Sequence, residues 1–174
     1  MRRHVTLIRR VWAEMRGNIM SAFERAAYNV VEITHSFKGC RMRETKNWKP
    51  SGYSSACPYL VISGAQKVID FAKATFGAVE LRRYDLPDGS IMHAEIRIDD
   101  TVVMLGDGGP TFPPFNSLVH VYVEDVDSVF ERALAAGATV IESSMIREGD
   151  PDKRGSVKDP CGNTWAIATQ IRRI

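Results

Sequence analysis

Cysteine is scarce in this chain, and the three present, Cys40, Cys57 and Cys161, form an odd set without CxxC spacing. That argues against a disulfide framework or a structural zinc site and for reduced thiols, the cytoplasmic pattern. Long apolar runs are missing as well. No stretch reaches the roughly 18 residues that a membrane-spanning helix requires. The glycines of Gly106-Asp107-Gly108-Gly109-Pro110 are not followed by a helix carrying Lys-Ser/Thr, so they do not make a phosphate loop. What remains is the composition of a globular protein, 44% hydrophobic and 25% charged over 174 residues.

The net charge of +2 conceals an asymmetry. Residues 1–50 hold 11 Lys/Arg and 4 Asp/Glu, a balance of +7, whereas residues 51–174 hold 12 and 17, a balance of −5. The leading 50 residues read as a basic extension. Ile8, Val11, Trp12, Met15, Ile19, Phe23, Ala27 and Val30 recur at helical spacing, interrupted at Gly17-Asn18. Such a segment can lie on a membrane or target an organelle, can dock on the domain or a partner, or can be an appendage with Met42 as an alternative start. The appendage is the expectation, because Glu14, Glu24 and Glu32 spoil a transit composition. Nucleic-acid binding is not expected, since interleaved aromatics are lacking.

From residue 57 onward the pattern is regular. Cys57–Ile62 reads as a strand, followed by a helix in which Ser63 and Gln66 make a capping box. Its buried stripe is Ala65, Val68, Ile69, Ala72, Thr75 and Phe76, and Gly77 closes it. Strands are expected at Val79–Tyr84, Ile91–Ile98 and Thr101 onward, with turns at Leu86–Gly89 and Asp99-Asp100. The Gly/Pro-rich Gly106–Asn116 is a linker. The second half repeats the order: a strand at Ser117–Glu124, a helix capped by Asp125 with the stripe Val126, Val129, Phe130, Ala133 and Leu134, then strands at Thr139–Ser143, Gly155–Lys158 and Thr164–Thr169. Arg147–Arg154 reads as a charged loop, Asp159–Asn163 as a turn with an exposed Cys161 thiol. Phe76–Leu81 and Ala136–Ile141 are matching segments 60 residues apart. The chain therefore contains two βαβββ modules, about 57–110 and 115–171, within an α+β domain over 51–174.

The strand Ile91–Ile98 carries the chemistry. Period-2 alternation puts Met92, Ala94, Ile96 and Ile98 on one face and Ile91, His93, Glu95 and Arg97 on the other. A row of imidazole, carboxylate and guanidinium is either the solvated face of a sheet or the wall of a cavity.

The stretches PYLVISGAQKVIDFAKATFGAVELRRYDLPDG, IMHAEIRIDDTVVMLGD, LVHVYVEDVDSVFERALAAGA and EGDPDKRGSVKDPCGNTWAIATQ resemble the vicinal oxygen chelate superfamily of glyoxalase I, bleomycin-resistance proteins and extradiol dioxygenases, in particular its PhnB-like branch. The resemblance covers about residues 57–171 and leaves the first 41 without a counterpart. It implies paired βαβββ half-barrels around a central cavity, helices outside. Leu60, Ile62, Val119, Val121, Trp165 and Ile167 then face the helices, and Tyr59, His93, Glu95, Arg97, Met104, Leu118, His120 and Tyr122 face the cavity. It also implies a homodimer.

Members that do metal chemistry carry His or Glu ligands on the first, fourth, fifth and last strands. The matching positions here are Cys57, Met104, Leu118 and Ala166. Three of these four cannot ligate a divalent ion, so no cofactor is expected and glyoxalase or dioxygenase chemistry loses its Lewis acid. Three readings follow. The first is metal-free binding of a small molecule between the modules, lined by Cys57, Tyr59, Arg97, Met104, Leu118, Tyr122 and Ala166. The second is an enzyme, a lyase, isomerase or oxygenase, with His93 or His120 as general base and Glu95 orienting it, or with a displaced metal on His93, His120 and Cys57. The third is a macromolecular partner engaged by the basic leader.

Overall fold

Both halves obey the same physical plan, a sheet whose apolar face is covered by one amphipathic helix. The computed structural model describes residues 48–172. The basic leader up to residue 47, with its helical stripe and its alternative start, lies outside the described residues. Eight strands and two α-helices occur among them: β1 Tyr59–Ile62, α1 Ala65–Phe76, β2 Val79–Asp85, β3 Ile91–Ile98, β4 Thr101–Asp107, β5 Leu118–Tyr122, α2 Val126–Ala135, β6 Thr139–Ile146, β7 Asp152–Lys158 and β8 Thr164–Gln170. The two sheets have the orders β1-β4-β3-β2 and β5-β8-β7-β6. Each first strand pairs in parallel with the last strand of its module, β1 with β4 and β5 with β8, and the other pairings are antiparallel. This is the repeated βαβββ architecture read from the sequence.

The helix-facing sides are buried as expected, with Leu60, Ile62, Val121, Trp165 and Ile167 in the core and Val119 packed against it. The two modules meet through this layer. Trp165 of β8 is fully buried and stacks at 5.9 Å from Phe71 and 5.1 Å from Phe76, both on α1. Arg132 of α2 donates from Nε to the carbonyl of Thr75 at 3.0 Å. Trp165 also needs a partner for its indole N–H, and finds Asp159 Oδ2 at 3.0 Å. Asp159 in turn accepts from the backbone N–H of Cys161 and from both nitrogens of Asn163 at 2.8–3.0 Å, which fixes the turn.

Several local expectations are corrected. The helix α1 is not capped by Ser63 and Gln66. Its N-cap is Gly64 at φ +87°, and the cap is supplied from β4, where Asp107 Oδ1 accepts from the N–H groups of Gly64 and Ala65 at 2.8 and 2.9 Å. Gln66 bonds to Asp70 and Arg83 instead. On β3 the alternation breaks at its start: Ile91 is buried and Met92 exposed, the reverse of the expected faces. A register shift between Tyr84 and Asp85 inserts an extra residue there, and a one-residue slip changes faces. The segment 147–154 is not all loop, because β6 runs to Ile146 and β7 begins at Asp152. Leu134 is exposed rather than buried. Cys161 is half-buried, with its Sγ–H directed at the Gly64 carbonyl at 3.4 Å. Burial, and then the Asp159 charge, push this thiol above its ordinary value. Asp125 caps α2 as expected, accepting from Asp127 N–H at 3.0 Å.

Candidate functional site

The sides of the sheets turned away from the helices hold the candidate residues, and the backbone register sorts them into rows. Across the first sheet Tyr59, Met104, Glu95 and Arg82 stand side by side on β1, β4, β3 and β2. Arg82 joins this row because a second register shift, between Glu80 and Arg82, turns it to that face. Across the second sheet the corresponding row is His120, Ala166, Ser156 and Glu142 on β5, β8, β7 and β6.

The first row is organised around one carboxylate. Glu95 is only 4% exposed. Its Oε1 lies 3.2 Å from Nε2 of His93, its Oε2 accepts from the Tyr53 hydroxyl, and Arg82 Nε is 3.6 Å from Oε2. The other ring nitrogen of His93, Nδ1, is 3.2 Å from the Tyr59 hydroxyl. The Tyr59 and His93 rings also approach each other, tilted by 34° with centroids 5.6 Å apart. Burial alone pushes the Glu95 carboxyl up, but the hydrogen bonds from Tyr53 and His93 and the Arg82 charge outweigh it and hold the group below its ordinary range. The bond to Glu95, with some burial, pushes the Tyr53 phenol up, and burial does the same to Tyr59. An ionised Glu95 can only accept, so in the neutral imidazole Nε2–H donates to it and Nδ1 accepts from the Tyr59 hydroxyl. Every donor in this chain then points toward Glu95.

Beside it lies a cavity of about 490 Å³ lined by Tyr59, Val61, Met92, Gly106, Asp107 and Phe112. Gly106 is dictated by this geometry, since a Cβ there would stand 2.7 Å from the Met92 carbonyl and 3.1 Å from the Tyr59 hydroxyl. Asp107 closes the base by also accepting from Ile91 N–H at 2.8 Å. Burial pushes Asp107 up, and its three backbone donors, at Ala65, Ile91 and Gly64, pull it below its ordinary value.

The second row borders a recess of about 380 Å³ lined by Leu118, His120, Glu142, Arg147, Arg154, Gly155, Ser156, Thr164 and Ala166. The His120 and Tyr122 rings meet at a 58° tilt with centroids 4.9 Å apart, and the Tyr122 hydroxyl donates to Asp152 at 2.9 Å.

The expected site residues are thus divided. Tyr59, Met104, His93 and Glu95 share the first sheet, and Leu118, His120, Tyr122 and Ala166 the second. Neither of these two hollows takes a residue from the other module. Arg97 continues the His93–Glu95 row but lines neither hollow, and Cys57 sits before β1 with its thiol 3.6 Å from the Ser54 carbonyl. Tyr53, Arg82, Met92 and Phe112 were not identifiable from spacing. Tyr53 and Phe112 lie in irregular segments, and Arg82 and Met92 reach their places through bulges. The residues at the expected ligand positions do not fit a divalent ion, and among the described residues no three His, Cys, Asp or Glu side chains converge as one would need. Among them, too, no helix is long and apolar enough to cross a membrane.

A family model described as the Glyoxalase/Bleomycin resistance protein/Dioxygenase superfamily matches residues 58–167. The uncharacterized protein Mb0911c of Mycobacterium bovis is 38% identical over 128 residues, covering 67% of this chain and 84% of that protein. Among solved structures, TioX from Micromonospora sp. ML1 is similar at 25% identity and a TM-score of 0.58, covering 67% of this chain and 98% of TioX. TnmS3 from Streptomyces sp. CB03234, described as an antibiotic binding protein, has 22% identity and a TM-score of 0.53, with 67% and 97% covered.

Proposed function

Because the chain belongs to the Glyoxalase/Bleomycin resistance protein/Dioxygenase superfamily, we propose that it binds a small, flat, largely apolar molecule on its first sheet, without a divalent metal. The observation that carries this reading is the cavity beside Tyr59. Met92 and Phe112 are exposed apolar walls, and the tyrosine is held at the edge by a hydrogen-bonded chain ending on a buried carboxylate. A few fixed polar groups in an apolar hollow orient a ligand without reacting with it. The printed description of TnmS3 as antibiotic-binding favours the same class. The protein acts in the cytoplasm, consistent with its sparse thiols.

A second copy completes the site. Leu118, Tyr122, Met145 and Ile146 are exposed on the second sheet, and Tyr59, Met92 and Phe112 on or beside the first. A homodimer that lays the first sheet of one copy over the second sheet of the other covers both sets and turns two open hollows into one cavity.

The alternative is an enzyme in which the same Tyr59–His93–Glu95 chain moves a proton to or from the ligand at the Tyr59 hydroxyl. One experiment separates them. Flat aromatic compounds, polycyclic antibiotics included, are titrated into the full chain and followed by intrinsic fluorescence, and the recovered compounds are analysed. Saturable binding with unchanged compounds, weakened roughly tenfold by Phe112→Ala, supports the binding reading. Chemical turnover that Glu95→Gln abolishes supports the enzyme. Binding unaffected by Phe112→Ala sinks the assigned site. Metal analysis of the untagged protein is expected to find no stoichiometric ion, and sedimentation to find two copies. Deleting residues 1–41 is expected to leave ligand binding intact, and partner binding that also survives the deletion would count against a leader-dependent partner.

A further inference from the structure

We propose that the recess on the second sheet is an oxyanion subsite, taking a carboxylate, phosphate or phosphonate group on Arg147 and Arg154 with His120, Ser156 and Thr164. The proposal extends the reading above by giving the ligand class an acidic group, but it rests on residues of one module alone.

The side chains on the recess floor are small, Ser156 and Ala166, with the Gly155 backbone between them. Gly155 serves the opposite side of the sheet, where a Cβ would stand 2.7 Å from both the Glu142 carbonyl and the Ser144 amide nitrogen and 2.8 Å from Phe130 of α2. Two guanidiniums border the recess. Arg147 is paired through Nη2 with Glu142, and Arg154 through Nη2 with Asp150 at 2.7 Å. A guanidinium carries five N–H donors in a rigid fork, and each of these ion pairs engages one nitrogen. The pairing orders the side chains before a ligand arrives, which lowers the entropic cost of binding. Ser156 and Thr164 add hydroxyl donors and His120 a ring nitrogen from the neighbouring strands.

Glu142 is the carboxylate that lines this recess, and its side chain is 53% exposed on the edge strand β6. An incoming oxyanion competes with it for Arg147 in a hydrated setting, so the displaced carboxylate returns to water without a large penalty. Two further carboxylates stand near Arg154: Asp150 stays paired with it, and Asp152, on the same face of β7, accepts from the Tyr122 hydroxyl at 2.9 Å. Planar two-nitrogen donation matches a carboxylate or a phosphoryl group and gives chloride no equivalent geometry. Leu118 at the recess edge offers apolar contact to the body of such a ligand.

The test follows the arginine Nε–Hε signals by NMR while inorganic phosphate, methylphosphonate or acetate replaces chloride at constant ionic strength. Arg147 and Arg154 are expected to shift saturably, with affinity roughly tenfold above that for chloride. Arg154→Gln should weaken this about tenfold, and Ser156→Leu, which fills the recess and keeps both guanidiniums, should abolish it. Lys73→Gln, a charge removed from α1 of the other module, should change nothing. Linear shifts identical for chloride would overturn the proposal, as would saturable binding that survives Ser156→Leu or the folded Arg147→Gln/Arg154→Gln pair. Loss of oxyanion binding with aromatic binding intact would sink the subsite alone, and the reverse would sink the first-sheet reading alone.

Discussion

The two sheets share a backbone plan and have opposite faces. In the first, the central row runs Tyr59, Met104, Glu95, Arg82, and its interior position is a buried carboxylate with three side-chain partners. In the second the row runs His120, Ala166, Ser156, Glu142, and the same interior position is a serine on the floor of an open recess. One face is a pre-assembled polar network beside an apolar hollow. The other is a shallow basin ringed by charges paired at its margin. Duplicated architecture therefore fixes where side chains stand, and leaves the chemistry of each face to a handful of positions.

The sharpest way to break this contrast is to remove the interior residue from each row. Glu95→Ala is expected to cost about 2–3 kcal/mol, because Tyr53, His93 and Arg82 all lose a partner at a buried position. Ser156→Ala should stay within about 0.5 kcal/mol. Urea unfolding of both variants compares them, and equal costs would erase the distinction. The helix starts give the next largest difference. Asp107→Ala, which strips two backbone donors at the start of α1 and a third at the start of β3 of their acceptor, should cost about 2 kcal/mol, and Asp125→Ala at α2 about 1 kcal/mol. Thermal denaturation resolves that ordering.

A pH profile sharpens the comparison further. Glu95 has a folded-state pKa held below its ordinary value of about 4.3, so its ionised form favours the folded state. Its contribution is complete above that ordinary value and is lost as the pH falls through the folded pKa. The stability gap between the native chain and Glu95→Gln should therefore be widest at neutral pH and close as the pH falls below the ordinary glutamate range. A gap that widens on acidification would reverse the sign and refute the network. The smallest effect is expected from Ala166→Met, which gives the second row the methionine of the first. The side chain enters the recess, so stability should change by less than about 0.5 kcal/mol.

The element order was readable because period-2 and helical patterns, glycine ends and the 60-residue recurrence all agree. The rows were half readable. His93 and Glu95 were placed together by alternation alone, whereas Trp165 and Ile167 were set on the helix side by the family resemblance. What alternation cannot supply is a bulge: Met92 and Arg82 change face through inserted residues that leave no mark in composition. Nor can it supply partners distant in the chain. Ser63 and Gln66 satisfy a local capping pattern, yet Asp107, more than 40 residues away, holds the helix start. Tyr53 stands in a stretch without periodicity, and only the folded chain brings it to Glu95.

Trp165 carries a consequence for the chain as a single covalent object. The indole belongs to β8, and its apolar contacts include Phe71 and Phe76 of α1. Each half made alone would therefore present a bare greasy patch, and neither should persist in isolation. The linker lends Phe112 to the first-sheet cavity but places no residue in the buried core. A polypeptide nicked between Gly109 and Pro113 should reassemble from its two fragments, the tryptophan serving as the latch that a peptide bond otherwise makes redundant.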